Sequence, residues 1–344
     1  KGTAVMTVGG WYDAEDLYGP LKIYQTLEKN NPNITNMIVM GPWVHGGWAR
    51  GDGSSIGNVH FGAKHSPWYQ EQVEARFFSH YLKNDAKQAV NLPEAIMFEG
   101  GTNKWREFEV WPPKEAQEKN LYFHANGKLS FEAPEATEET ASEYISDPSK
   151  PVPFTEAVAT GMTREYMTDD QRFASRRPDV LTFQTDVLTE DVTLAGEILA
   201  QLKVATSGTD ADWVVKLIDV YPDTARANPH QPDKKMGGYQ AMVRSEVFRG
   251  RFRNSFEQPE PFTPNQATPV NVELQDVLYT FKKGHRIMVQ IQSTWFPLVD
   301  RNPQKYVDNI FEANEEDFIK ATHKVYHSPE QPTSLKVKVL NTVL

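Results

Sequence analysis

Two short apolar runs, each followed by a glycine-rich polar segment, constrain the fold of this chain more than any other feature. The first, Ala4-Val5-Met6-Thr7-Val8, leads into Gly9-Gly10-Trp11-Tyr12-Asp13-Ala14-Glu15-Asp16. The second, Met37-Ile38-Val39-Met40-Gly41, leads into Pro42-Trp43-Val44-His45-Gly46-Gly47-Trp48. Continuous apolar runs of this length, rich in β-branched residues, are how parallel strands covered on both faces read. Between them Leu17, Leu21, Tyr24 and Leu27 recur at helical spacing, and Asp16 suits an N-cap, so the pattern predicts a helix over residues 16–30. Strand, helix and strand make a βαβ unit. A second helix is expected over residues 67–83, where Tyr69, Val73, Phe77 and Tyr81 share a face.

Near residue 90 the texture changes. Strand-like stretches follow at 94–99, 120–124, 181–186, 198–206, 213–220, 240–248, 270–281, 286–292 and 334–340. Asn126-Gly127, between Leu121-Tyr122-Phe123 and Leu129-Ser130-Phe131, is a hairpin signal. The Glu- and Pro-rich residues 132–143 read as a solvated loop. Many strands with polar turns predict a β-sandwich of jelly-roll type over residues 91–344. Residues 1–90 are expected to be part of an α/β domain. Two parallel strands and two helices do not cover both faces of a sheet, so its open edge is expected to pair with something outside this sequence. The chain also opens on Lys1, directly before a strand, which reads as a piece of something longer.

Composition narrows the function. The 344 residues carry a net charge of −10 without a basic cluster, which argues against nucleic-acid binding. With no cysteine, neither disulfides nor a thiolate metal site can form. No apolar run approaches bilayer-spanning length. His60 and His65 lack a third ligand at metal spacing, so no metal or cofactor is expected. His80 reads as a surface or interface residue and His285 as structural.

Function in open parallel sheets gathers at the carboxyl ends of the strands. An acid, Asp13, after one strand and a histidine, His45, after the next is the back half of an α/β-hydrolase triad, whose chain order is serine, acid, histidine. Gly53-Ser54-Ser55-Ile56-Gly57 mimics the nucleophile motif, but it follows a polar loop and comes after the histidine, so Ser55 is read as a loop residue.

Over nearly its whole length the chain resembles the family of α-amino acid ester hydrolases, cocaine esterase, glutaryl-cephalosporin acylase-like proteins and X-Pro dipeptidyl-peptidases. The resemblance rests on Gly10-Trp11-Tyr12-Asp13, Gly41-Pro42-Trp43-Val44-His45, Trp105-Arg106 with Trp111-Pro112, and Asp210-Ala211-Asp212-Trp213. Gly284-His285-Arg286, Phe296-Pro297 and Asp300-Arg301-Asn302 extend it toward the end. It implies a hydrolase domain with a C-terminal jelly roll, Asp13 as triad acid and His45 as general base.

In the α-amino acid ester hydrolases, carboxylates two and three positions after the triad acid bind the substrate ammonium, and Glu15 and Asp16 stand at those positions. On residue chemistry alone, Asp16 reads equally as an N-cap and Glu15 as a first-turn acid. Trp11, Tyr12, Trp43 and Trp48 are candidates for core packing or for an aromatic pocket, and Trp295-Phe296-Pro297 for a loop reaching the cleft. The expected function is a serine esterase or acylase acting on esters or amides of α-amino acids, β-lactam side-chain acyl groups included. Its acyl-enzyme would form on a serine absent from this chain, so the missing N-terminal half is the expected partner and the isolated chain is expected to be inert. The substrate would be a small ester, an amide or a short peptide, and self-association stays open. The alternatives are an X-Pro dipeptidyl-peptidase or plain carboxylesterase of the same family, and a non-catalytic jelly-roll binding module. The resemblance also suggests a periplasmic or secreted protein.

Overall fold

The computed structural model describes residues 2–83, 91–136 and 140–340. The domain boundary expected at residue 90 and residues 137–139 of the solvated stretch lie outside the described residues. The first apolar run forms β1 (Val5–Gly10), followed by α1 (Tyr18–Asn30) and β2 (Asn36–Gly41). β1 and β2 pair in parallel from Val5↔Asn36 to Gly10↔Gly41. Every residue of β2 is buried, which explains its unbroken apolar sequence. The helix expected from residue 67 forms with an inserted π-helical turn: His65–Tyr69 is α-helical, Gln70–Glu74 π-helical and Ala75–Lys83 α-helical again. Tyr69, Val73 and Phe77 are its buried stripe.

The strand expected at 94–99 forms as β3 (Ala95–Glu99), but it pairs in parallel with β2 and belongs to the first sheet. β4 (Lys104–Phe108) adds to it antiparallel. The first sheet is therefore four-stranded, in the order β1-β2-β3-β4, with β1 at its edge.

Apart from a two-residue hairpin ladder, Ser55–Ile56 with Val59–His60, the remaining strands form one eleven-stranded mixed sheet. In chain order they are β5 (Gln117–His124), β6 (Lys128–Ser130), β7 (Ala141–Ser146), β8 (Leu181–Gln184), β9 (Val192–Thr206) and β10 (Asp212–Val220). β11 (Gln240–Arg249), β12 (Thr268–Phe281), β13 (Arg286–Gln292), β14 (Ala321–Tyr326) and β15 (Ser334–Leu340) complete it. The spatial order is β11-β10-β13-β8-β6-β5-β15-β9-β14-β7, with β12 pairing β9. β5 and β6 are the expected hairpin, and both Asn126 and Gly127 at its turn take positive φ, of 58° and 69°. The sheet folds over a core that includes Phe123, Phe183, Trp213, Leu274, Phe281 and Leu335.

A second core is shared between the two sheets: Ile38, Met40, Met97 and Phe98 pack with Val214, Met242, Leu278 and Trp295. Backbone bonds reinforce the junction, Gly100 N donating to Leu278 O and Thr280 N to Gly100 O, each at 3.0 Å. Only glycine fits beside it, since a Cβ on Gly101 would lie 2.0 Å from Thr280 O. Asp210 and Asp212 of the quoted motif are structural, buried on Arg251 and Arg249 respectively. His285 is likewise held, its Nδ1 lying 2.8 Å from Asp219 Oδ1.

Candidate active site

The two polar segments leave β1 and β2 side by side and stay hydrogen-bonded beyond the strands. Trp11 N donates to Gly41 O at 2.9 Å and Tyr12 N to Trp43 O at 3.0 Å. Gly10 permits that approach, because a Cβ there would stand 2.1 Å from Trp43 O. Asp13 follows directly on one side and His45 on the other.

Asp13 is buried at 4% exposure, and its two oxygens divide the work. Oδ1 accepts the backbone N–H groups of Glu15 and Asp16, each at 2.9 Å. Oδ2 lies 3.0 Å from His45 Nδ1. The turn thus fixes the carboxylate, and the carboxylate fixes the imidazole with a proton on Nδ1, leaving Nε2 as the acceptor. The His45 side chain is 45% exposed, so the ring is open to an incoming group. Gly46, with φ of 67°, turns the chain immediately afterwards.

A cleft of 380 Å³ opens beside Asp13. Glu15 lines it from the first sheet. Asp16 does not: its Oδ1 accepts Gly19 N at 2.9 Å, so its carboxylate serves the start of α1. Opposite, the larger sheet and its loops supply an apolar wall of Met162, Tyr166, Met167, Trp295, Leu298 and Val299. Trp295, expected from sequence to reach the cleft, is part of that wall.

Two polar groups in the cleft had no sequence signal. Glu246, on β11, accepts Val247 N at 2.8 Å and Gln275 Nε2 at 3.3 Å, and burial raises its carboxyl above the usual carboxylate range. Gln275 takes a positive φ of 68° where the register between β9 and β12 shifts, a bulge that breaks the regular ladder beside the cleft.

Of the candidate aromatic residues, Trp11 and Trp43 are core, at 4% and 1% exposure. Trp11 donates Nε1 to Phe98 O at 2.7 Å, and Trp43 packs among Trp48, Tyr69 and Trp105. They are drawn inward because both polar segments must cover the end of the first sheet. Half-buried Trp48 belongs to the same cluster. Tyr12 faces a different cavity, of 250 Å³, which it lines with His60, Tyr221 and Tyr279. Burial pushes its hydroxyl up to about 12, partly offset by Arg244. Ser55 is exposed on a two-residue strand (Ser55–Ile56) that runs into a second short strand, Val59–His60, and not directly into a helix. It lacks the strand-to-helix turn a nucleophile requires. Among the described residues no group of three metal-ligating side chains converges, and no helix is long and apolar enough to cross a membrane.

Comparison with known proteins fits this geometry. Residues 88–336 match the family model described as X-Pro dipeptidyl-peptidase C-terminal non-catalytic domain. The chain is 26% identical over 350 residues to the cocaine esterase of Rhodococcus sp. (strain MB1 Bresler), covering 98% of this chain and 56% of that protein. An aminopeptidase structure from the marine sediment archaeon Thaumarchaeota archaeon superposes with a TM-score of 0.91 at 40% identity, covering 99% of this chain and 56% of that one. An α-amino acid ester hydrolase structure gives 0.90 at 41%, covering 97% and 55%. The chain thus spans little more than half the length of these relatives. Asp13 and His45 both precede the matched residues.

Proposed function

The chain belongs to the X-Pro dipeptidyl-peptidase C-terminal family, and from that premise we propose that Asp13 and His45 are the acid and base of a serine hydrolase acting on esters or amides of α-amino acids. The observation that carries the proposal is the 3.0 Å contact between His45 Nδ1 and an Asp13 carboxylate whose other oxygen is already occupied by two backbone N–H groups. Such a carboxylate orients the imidazole and stabilises its cation, while Nε2 takes the proton of an attacking hydroxyl and returns it to the leaving group. The nucleophilic serine and the oxyanion donors are assigned to a further part of the enzyme, beyond this chain. Two facts support that assignment: the chain spans 55% to 56% of its relatives, and β1 stands at a sheet edge.

The substrate reading rests on the cleft. Glu15 lines the same cleft as Asp13, and the wall around Trp295 is apolar. A carboxylate in such a cleft favours a substrate ammonium through charge-assisted hydrogen bonding, while the wall suits an apolar side chain. The relatives near 40% identity are called an aminopeptidase and an α-amino acid ester hydrolase, and an amino-acid acyl group is common to such substrates. Of the two carboxylates suggested by resemblance, Glu15 lines the cleft and is the ammonium ligand, while Asp16 holds the first turn of α1. Steady-state kinetics of the enzyme containing this chain test this. Glu15→Gln should raise KM for a phenylalanine ester at least tenfold and leave its des-amino analogue within twofold, whereas Asp16→Asn should affect both alike. Equal losses on both substrates for Glu15→Gln would remove the ammonium from the proposal.

A further inference from the structure

Beneath the apolar wall of the cleft lies a lysine that the chemistry above does not use. Lys216, in the middle of β10, is fully buried. Its Nζ donates to Gln171 Oε1 at 3.0 Å and stands 5.2 Å from the ring centroid of Trp295 and 5.8 Å from that of Phe173. Its cross-strand partners are Ser245 on β11 and Gln290 on β13. None of these neighbours carries a charge, and among the described residues no carboxylate pairs with the ammonium. Filling such a position with an ammonium costs desolvation that a methionine of similar volume would avoid. What the ammonium gains there is the face of an indole.

Trp295 sits at 4% exposure in the core shared by the two sheets. Its Nε1 is buried without a hydrogen-bond partner. Its ring meets Tyr166 edge-on at 5.7 Å, and Tyr166 itself lines the cleft. Within that packing, Tyr166 and Lys216 are the two groups that meet the indole ring with directional contacts.

We propose that Lys216 is a positioning residue for the cleft: held by Gln171, its ammonium pins the Trp295 indole as the wall against which the apolar side chain of the substrate packs. This rests on the reading of the cleft as the substrate site. Burial brings the lysine from 10.5 down to about 7, so the pin is charged in mildly acid solution and released in mildly alkaline solution. Ser245, Gln171, Gln290, Phe173 and Trp295 around it are all uncharged; the titratable group facing the same cleft is Glu246, whose carboxyl burial raises, and Glu246→Gln separates its titration from that of Lys216.

Two measurements test the inference. In the enzyme containing this chain, the ratio of KM for phenylalanine methyl ester to KM for alanine methyl ester should rise between pH 6 and pH 8, the ratio cancelling the titration of the amine that both substrates share. Lys216→Met should hold the ratio at its higher value throughout, on the order of tenfold above wild type at pH 6, with kcat unchanged. Trp295→Leu should give the same loss, and the double variant no more. The second measurement needs no turnover: tryptophan fluorescence of this chain should titrate near pH 7, and both Lys216→Met and Trp295→Phe should abolish the transition. A folded Lys216→Met protein that keeps the fluorescence transition, or the wild-type pH dependence of the phenylalanine-to-alanine KM ratio, overturns the inference. Retained turnover in His45→Ala would instead remove the catalytic reading and leave the fluorescence result standing.

Discussion

Asp276 offers a test of how the two sheets are fastened together. It lies on β12 at 3% exposure, and its Oδ2 accepts Trp111 Nε1 at 2.6 Å. Trp111 follows β4, so this bond joins the end of the first sheet to the second. Burial raises the carboxyl from 3.8 to about 6, the Trp111 hydrogen bond only partly opposing it. At neutral pH the charged form is therefore disfavoured in the folded chain by about 3 kcal/mol. A raised carboxyl contributes stability that is complete below its unfolded value near 4 and lost as pH rises through about 6. Asp276→Asn keeps an oxygen for the indole N–H and removes the charge. Because the shift to about 6 already includes the Trp111 hydrogen bond, the variant should be more stable than wild type by about 3 kcal/mol at pH 7.5. At pH 4 the two proteins should be nearly equal. Urea unfolding at both pH values, followed by circular dichroism, measures the difference. A variant destabilised equally at both would refute the argument, because the carboxyl would then be held as an anion without penalty.

Two further outcomes follow from the described contacts. Asp13→Asn should lower kcat of the complete enzyme by about 10⁴-fold: the new amide would donate to His45 Nδ1, moving the imidazole proton to Nε2 where the base is needed, and steady-state assays at saturating ester would show it. Arg251→Met should destabilise the chain by about 3–5 kcal/mol, since Asp210, buried on Arg251 Nε at 2.8 Å, would be left an uncompensated charge. Chemical denaturation should then find the Arg251→Met/Asp210→Leu double variant closer to wild type than the single one.

The acid–histidine pair was legible in sequence because its placement is local: each residue follows a buried parallel strand, and adjacent parallel strands bring their ends together. Long-range partners left no such trace. Nothing around Ala95 to Glu99 distinguishes a third strand of the first sheet from a strand of the second, since both read as buried apolar runs. β14 escaped notice because His323 occupies its buried face, bound to Gln304 Oε1 at 2.7 Å, and breaks the alternation of apolar and polar residues that marks a strand. β4 reads as polar because four of its five residues are exposed or only half-buried. Glu246 and Gln275 reach the cleft from more than two hundred residues beyond Asp13, one of them through a bulge, and no local pattern encodes that meeting. Asp16 precedes the N-cap position, Leu17, by one residue, and its Oδ1 accepts Gly19 N in the first turn of α1, a contact compatible with the substrate role drawn from resemblance.

The backbone bonds that run on past β1 and β2, from Trp11 to Gly41 and from Tyr12 to Trp43, have a consequence for protein engineering. They fix the spacing of the Asp13 and His45 segments through the main chain, while Trp295, Leu298 and Val299 of the wall come from the second sheet and its loops. Libraries that vary Leu298 and Val299 would therefore reshape the cleft without touching the bonds that hold Asp13 beside His45.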